Sequence, residues 1–166
     1  VTLSDPGRSA GNAPLTERLQ QWLREAGVAF EILQHAPAYT SEDAARVRGT
    51  PLEQGAKALV VRTDERFVHC VLSAHLKADN AALRAILGTR KLRFATHEEL
   101  FEVTGCAPGA VPPFGNLFGL PVLMDEALCR NDRVVFNAGS NAVSIIMRCA
   151  DLIRLSGATV CRFSQP

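Results

Sequence analysis

No charge of one sign dominates this sequence: 18 Lys and Arg stand against 17 Asp and Glu, a formal net charge of +1 over 166 residues. A surface that grips a long stretch of nucleic acid is usually far more basic. Extensive duplex binding is therefore disfavoured, while contact with the end of an RNA stays compatible. No apolar run reaches the roughly 20 residues that a membrane helix needs. The opening stretch VTLSDPGRSAGNAP has neither the basic start nor the apolar core of a secretory signal, so a cytoplasmic protein is expected. The cysteines, Cys70, Cys106, Cys129, Cys149 and Cys161, are odd in number and form no CxxC pair. That disfavours a disulfide framework and a zinc site. The histidines lack metal-ligand spacing such as HxxxH, and no GxSxG elbow, Walker loop or GxGxxG is present.

What is there suits a soluble globular chain, with 47% hydrophobic and 21% charged residues. The length fits one domain. Residues 1–13 are rich in Gly, Ser, Asn and Pro and read as a flexible N-terminal tail, leaving 14–166 as the folded domain. Leu15, Leu19, Trp22, Leu23 and Ala26 share one helical face, and Gly27 stops that helix. Val28, Phe30 and Ile32 alternate as in a half-buried strand. A loop covers His35–Tyr39, and Thr40 with Asp43 opens a helix that Gly49 and Pro51 end. Residues 57–62 and 67–72 read as a hairpin joined across Thr63–Arg66. Asp79 caps a helix to Leu87, a short strand covers 92–95, and Thr96 with Glu99 forms a capping box. After a Gly/Pro-rich loop at 104–116, LPVLM, RVVFNAG and NAVSIIM read as strands, Ala150–Leu155 as a helix and ATVCRF as a last strand. Interleaved helices and strands predict a single α+β domain with a mixed sheet.

The 104–116 loop, TGCAPGAVPPFGN, combines glycines that let backbone approach a ligand with prolines that stiffen the path. Such a loop can present amides to a developing negative charge; composition alone equally fits a rigid surface connection. Lys57 opens the apolar strand GAKALVV. A lysine there is either a solvated edge residue or a cation lining a pocket. His35 stands before a turn, able to cap it or to face a ligand. Cys106 is the one cysteine expected in an exposed functional loop, either as an inert thiol or as a nucleophile requiring a nearby base. Arg90, Lys91 and Arg93 form the densest basic cluster, a solvated rim or a phosphate contact.

Taken in order, HAPAYTSEDAA, GAKALVV, HLKADNAALRAILG, KLRFATHEEL, TGCAPGAVPPFG, LPVLMDEAL and VFNAGSNAVSI followed by ADL resemble the YbaK/ProX family, the editing domain associated with prolyl-tRNA synthetase. The likeness covers the chain from about Leu15 onward. It implies a mixed, partly barrel-like sheet surrounded by helices, no metal and no organic cofactor. It also implies hydrolysis of the ester joining a mismatched small amino acid to the terminal adenosine of tRNA, with the proline tRNA a candidate carrier. On this reading the partners are the acceptor end of a mischarged tRNA and, as a candidate, an aminoacyl-tRNA synthetase. The family's lysine falls on Lys57 and its GxxxP loop on Gly109–Pro113. The resemblance thus points to Lys57, Gly109 and Ala110 as catalytic. Substrate-binding candidates are His35, Tyr39, Thr40, Val111, Pro113, Phe114, Gly115 and Gly139, with Phe114, Val111 and Ala58 as candidate walls of a size sieve. Alanine-editing branches often carry Asn after the lysine and His in the region of Phe136–Ala138; here Ala58 and Asn137 stand there, so the amino acid removed stays open. Two other readings compete: a non-catalytic module of the same fold that binds tRNA or a synthetase, and a Cys106-dependent thioesterase or peptidase.

Overall fold

Helix α1 (Leu15–Glu25) forms because its apolar residues recur at helical spacing; Leu19, Trp22 and Leu23 are buried along one face. The chain leaves it through Ala26 and Gly27, the latter in the left-handed region at φ 72°. Strand β1 (Phe30–Gln34) follows, and Ile32 on it is exposed rather than inward-facing. The computed structural model describes residues 14–166; the expected tail at 1–13 lies outside the described residues.

Helix α2 (Ser41–Arg48) is capped by Thr40, whose hydroxyl accepts from the Asp43 amide, and Gly49 closes it at φ 67°. A single 3-10 turn (Leu52–Gln54) leads into β2 (Ala56–Thr63), which pairs antiparallel with β3 (Phe67–Ser73). The Thr63 hydroxyl accepts from the Glu65 and Arg66 amides and ties that hairpin turn. β4 (Lys77–Ala78) is followed by α3 (Asn80–Leu87), capped by Asp79, and then by β5 (Leu92–Phe94). Helix α4 (His97–Thr104) carries the full reciprocal capping box between Thr96 and Glu99. Beyond the Gly/Pro loop come β6 (Val122–Asp125), β7 (Arg133–Ser140), β8 (Val143–Arg148), α5 (Cys149–Ser156), β9 (Thr159–Cys161) and β10 (Ser164–Gln165).

The fold is a single α+β domain whose strands divide between sheets. A mixed five-stranded sheet has the order β5-β2-β3-β6-β9, with β3–β6 and β6–β9 parallel. An antiparallel three-stranded sheet has the order β1-β8-β7, and β10 pairs with β4. The sheets do not close into a barrel; a parallel bridge between Gly55 and Val135 links the two larger ones. Strand β3 is buried on both sides, so alternation sends Val71 to one core and Val68, Cys70 and Leu72 to another. The larger core joins α1 to both sheets through Trp22, Met124, Phe136 and Ile145. The smaller packs Leu83 of α3 and Phe163 onto the far face of the five-stranded sheet.

The pair β4 and β10 has no counterpart in the expected strands, being too short to show a period. Buried Asp125 makes it possible. Its carboxylate accepts from the amides of Ala127, Phe163 and Ser164 and from the Ser164 hydroxyl at 2.7–3.0 Å. This folds the C-terminus against β4 and fixes the backbone around Leu76, which meets the candidate site. Cys161 is only half-buried. No described helix is long and apolar enough to cross a membrane.

Candidate active site

The β2 strand brings Lys57 to a cavity of about 220 Å³ between α2, β2 and the Gly/Pro loop. That is somewhat below the usual range of about 300–1,000 Å³ for small-molecule sites, so the space suits a compact group. Lys57, Arg48, Thr40, Asn137, Gly109 and Val111 line it, and small residues of α2 and β2, Ala58 among them, complete the wall. The Lys57 ammonium donates to the Leu76 carbonyl. Burial holds its pKa below the usual lysine value; nearby Lys77 lowers it too, and Glu42 opposes both. Among the described residues, no Asp, Glu or His lines the cavity.

The loop contributes through its backbone. Gly109 adopts φ +81°, a conformation glycine takes without strain. Its carbonyl accepts from the Asn137 side-chain amide at 2.6 Å. The next peptide N–H, that of Ala110, turns away and donates to the Ala107 carbonyl. The Ala110 carbonyl in turn accepts from the Gly139 N–H. Ala110 is therefore not an available donor, which corrects its expected role. Among the described residues, the N–H groups of Gly109 and Val111 show no protein acceptor, and both residues line the cavity.

Of the other candidates, Thr40 lines the cavity while capping α2, and Tyr39 stands at its rim, 77% exposed. The structure places the rest elsewhere. The His35 ring bonds to the Ala36 carbonyl and the Ser144 hydroxyl and is not part of the lining. Phe114 is fully buried, edge-on to both Trp22 and Phe136; it is core, not a sieve wall. Pro113 is buried beside it. Gly115 passes against the His69 side chain, where a Cβ would lie 2.5 Å from the His69 Cβ. Gly139 packs on Leu15. Cys106, expected to be exposed, is 3% exposed, and burial raises its thiol pKa. A buried, protonated thiol is a poor nucleophile. The cluster Arg90, Lys91 and Arg93 is exposed, with Arg93 engaged by Glu99.

Among the lining residues that the sequence did not point to, Arg48 and Asn137 have side chains bonded to each other. Arg48 ends α2, where its charge complements the helix dipole. Its Nε donates to the Ser144 hydroxyl at 2.8 Å and its Nη2 to the Asn137 Oδ1 at 2.7 Å. Burial lowers its pKa to about 10, which leaves it a cation near neutral pH. Partners 89 and 96 positions away leave no local pattern to read.

The aminoacyl-tRNA editing domain family matches residues 35–155. A curated relative from Escherichia coli K12, the multifunctional Ser/Thr-tRNA deacylase ProXp-y, is 34% identical over 154 residues, covering 90% of this chain and 92% of that protein. The prolyl-tRNA editing protein ProX of Acetoanaerobium sticklandii is 25% identical, covering 80% of this chain and 85% of its own. A crystal structure described as a candidate trans-editing enzyme for prolyl tRNA synthetase superposes with a TM-score of 0.83 at 28% identity, covering 93% of this chain and 99% of that one. With the family match spanning residues 35–155 and the fold shared over 93% of the chain, this chain belongs to the aminoacyl-tRNA editing domain family.

Proposed function

We infer that the protein is a trans-acting deacylase that hydrolyses the ester between a wrongly attached small amino acid and the terminal ribose of tRNA. The observation that carries this reading is the cavity itself: a lysine, a glycine turn with unspent N–H groups and, among the described residues, no carboxylate or imidazole on the walls. An aminoacyl ester is already activated, so its hydrolysis needs orientation and charge stabilisation more than a protein nucleophile. Water adds to the carbonyl carbon, and the N–H groups of Gly109 and Val111 hold the developing oxyanion. The ribose oxygen leaves with a proton, which the neighbouring ribose hydroxyl is placed to relay. Lys57 anchors the terminal nucleotide or polarises the acyl carbonyl.

The resemblance to a Ser/Thr-tRNA deacylase points to serine and threonine esters as the first substrates to try. A synthetase pocket separates side chains differing by one small group by only about 1–3 kcal/mol, so a second sieve has a purpose. A net charge of +1 favours recognition limited to the acceptor end, with a synthetase supplying further tRNA affinity. The test is release of amino acid from seryl-, threonyl-, alanyl- and cysteinyl-tRNAs, including mischarged proline tRNA. Wild-type protein should deacylate at least one of them, and Lys57→Ala should lose about 100-fold or more, the scale of losing one transition-state donor. Binding of the acceptor end with no turnover on any substrate would identify a non-catalytic module. Undiminished turnover by Lys57→Ala would remove that lysine from the mechanism.

A further inference from the structure

Arg48 is an internal cation whose bonded donors point at the sheet rather than into the cavity it borders. Its Nε reaches Ser144, which is fully buried, and its Nη2 reaches Asn137 Oδ1. Ser144 also sits 3.3 Å from the same Asn137 oxygen and 2.8 Å from the His35 ring. The Arg48 Nη2 and the Ser144 hydroxyl thus both donate to Asn137 Oδ1, which fixes the flip of that amide and aims its Nδ2 at the Gly109 carbonyl, 2.6 Å away. Gly109 stands at φ +81°, and among the described residues this bond and the Ala110–Ala107 turn hold the peptide plane that joins it to Ala110. That plane carries the Gly109 carbonyl and the Ala110 N–H together; turning it changes the backbone dihedrals of Gly109 and Ala110 on either side, and with them the directions of the Gly109 and Val111 N–H groups.

We propose that Arg48 is a positioning residue: through Asn137 it locks the Gly109 peptide so that the unspent N–H groups of the turn face the scissile carbonyl. This deepens the deacylase reading and rests on it. The relay crosses three elements, α2, β7 and the loop, so it also couples the cavity's helical wall to its oxyanion wall. Without Arg48, Asn137 can rotate and the turn samples other orientations; misplacement by about 1 Å can cost about 100-fold in rate.

The experiment is single-turnover and steady-state deacylation by wild type, Arg48→Ala, Arg48→Lys, Asn137→Ala and the Arg48→Ala/Asn137→Ala double variant. Amide hydrogen exchange at Ala110 is followed in the same proteins. Arg48→Ala and Asn137→Ala should each lower kcat by about 10–100-fold with KM changed less than about 3-fold. The double variant should be no worse than the poorer single by more than about 3-fold, since both cut one chain. Arg48→Lys, able to replace one of two bonds, should fall between. Ala110 exchange should quicken in every variant that loses the relay. Raised KM with unchanged kcat would mean that Arg48 holds substrate directly and would overturn the proposal, as would multiplicative losses in the double variant or unaltered Ala110 exchange. Should Arg48→Ala not fold, Asn137→Ala decides through the same kcat, KM and exchange readouts. Wild-type protein with no turnover on any substrate defeats the deacylase reading instead, while the exchange data still judge the relay.

Discussion

At the scale of single residues, two side chains that look reactive in the sequence have different fates. Lys57 belongs to a strand of small apolar residues, and alternation alone cannot say whether its ammonium meets solvent or a cavity. The fold answers by placing the Leu76 carbonyl where it accepts a hydrogen bond from the ammonium. Cys106 sits in a loop whose glycines and prolines suggest exposure, yet Thr104 takes its amide and the chain folds its thiol inward. Burial raises the pKa of all five thiols. Iodoacetamide at neutral pH should therefore leave deacylation within about 2-fold of untreated protein, given how little thiolate is present. Loss of activity in step with Cys106 labelling would restore the cysteine-dependent alternative.

Among elements, the Gly/Pro loop does two jobs in one stretch. Gly109 and Val111 border the cavity, while Pro112 to Gly115 are buried structure. Phe114 knits α1 to β7 through Trp22 and Phe136, and Gly115 lies against the backbone-proximal atoms of His69. Gly115→Ala should destabilise by about 1–3 kcal/mol, because the clash is with a strand residue that has no room to yield. Urea unfolding measures it; an unchanged midpoint would show that the loop repacks freely. Helix caps were legible, since Thr40, Asp79 and Thr96 announce them locally. So was the β2–β3 hairpin, from two apolar runs around a polar turn. The division of strands between sheets was not legible, because pairing such as β1 with β8 joins residues more than a hundred positions apart. The same distance hid Arg48 and Asn137, whose roles exist only once α2, β7 and the loop meet.

For the molecule as a whole, the buried His69 links stability to pH. Among the described residues its ring nitrogens have no partner at hydrogen-bonding geometry, and burial lowers its pKa from 6.5 to about 4, opposed by the Pro112 carbonyl. Between those values the unfolded chain binds the proton and the folded one does not. Stability is then full above about pH 6.5 and falls as pH drops toward 4, by about 3 kcal/mol over the whole window. From pH 7 to 5 the wild type should lose about 2 kcal/mol by urea unfolding, and His69→Gln should lose clearly less. Equal losses would assign the acid sensitivity elsewhere. Because His69 underlies Gly115, this acid-labile point sits directly beneath the loop that shapes the cavity.

The account depends on Lys57 and the Gly109 turn acting on one bound group. The direct measurement is a titration of the labelled protein with an adenosine that carries serine through an amide in place of the ester, followed by amide chemical shifts. The N–H signals of Gly109 and Val111 should move most, together with those flanking Lys57, and Lys57→Ala should weaken the binding. Shifts confined to surfaces away from this cavity, or no saturable binding by a protein that still deacylates, would contradict it.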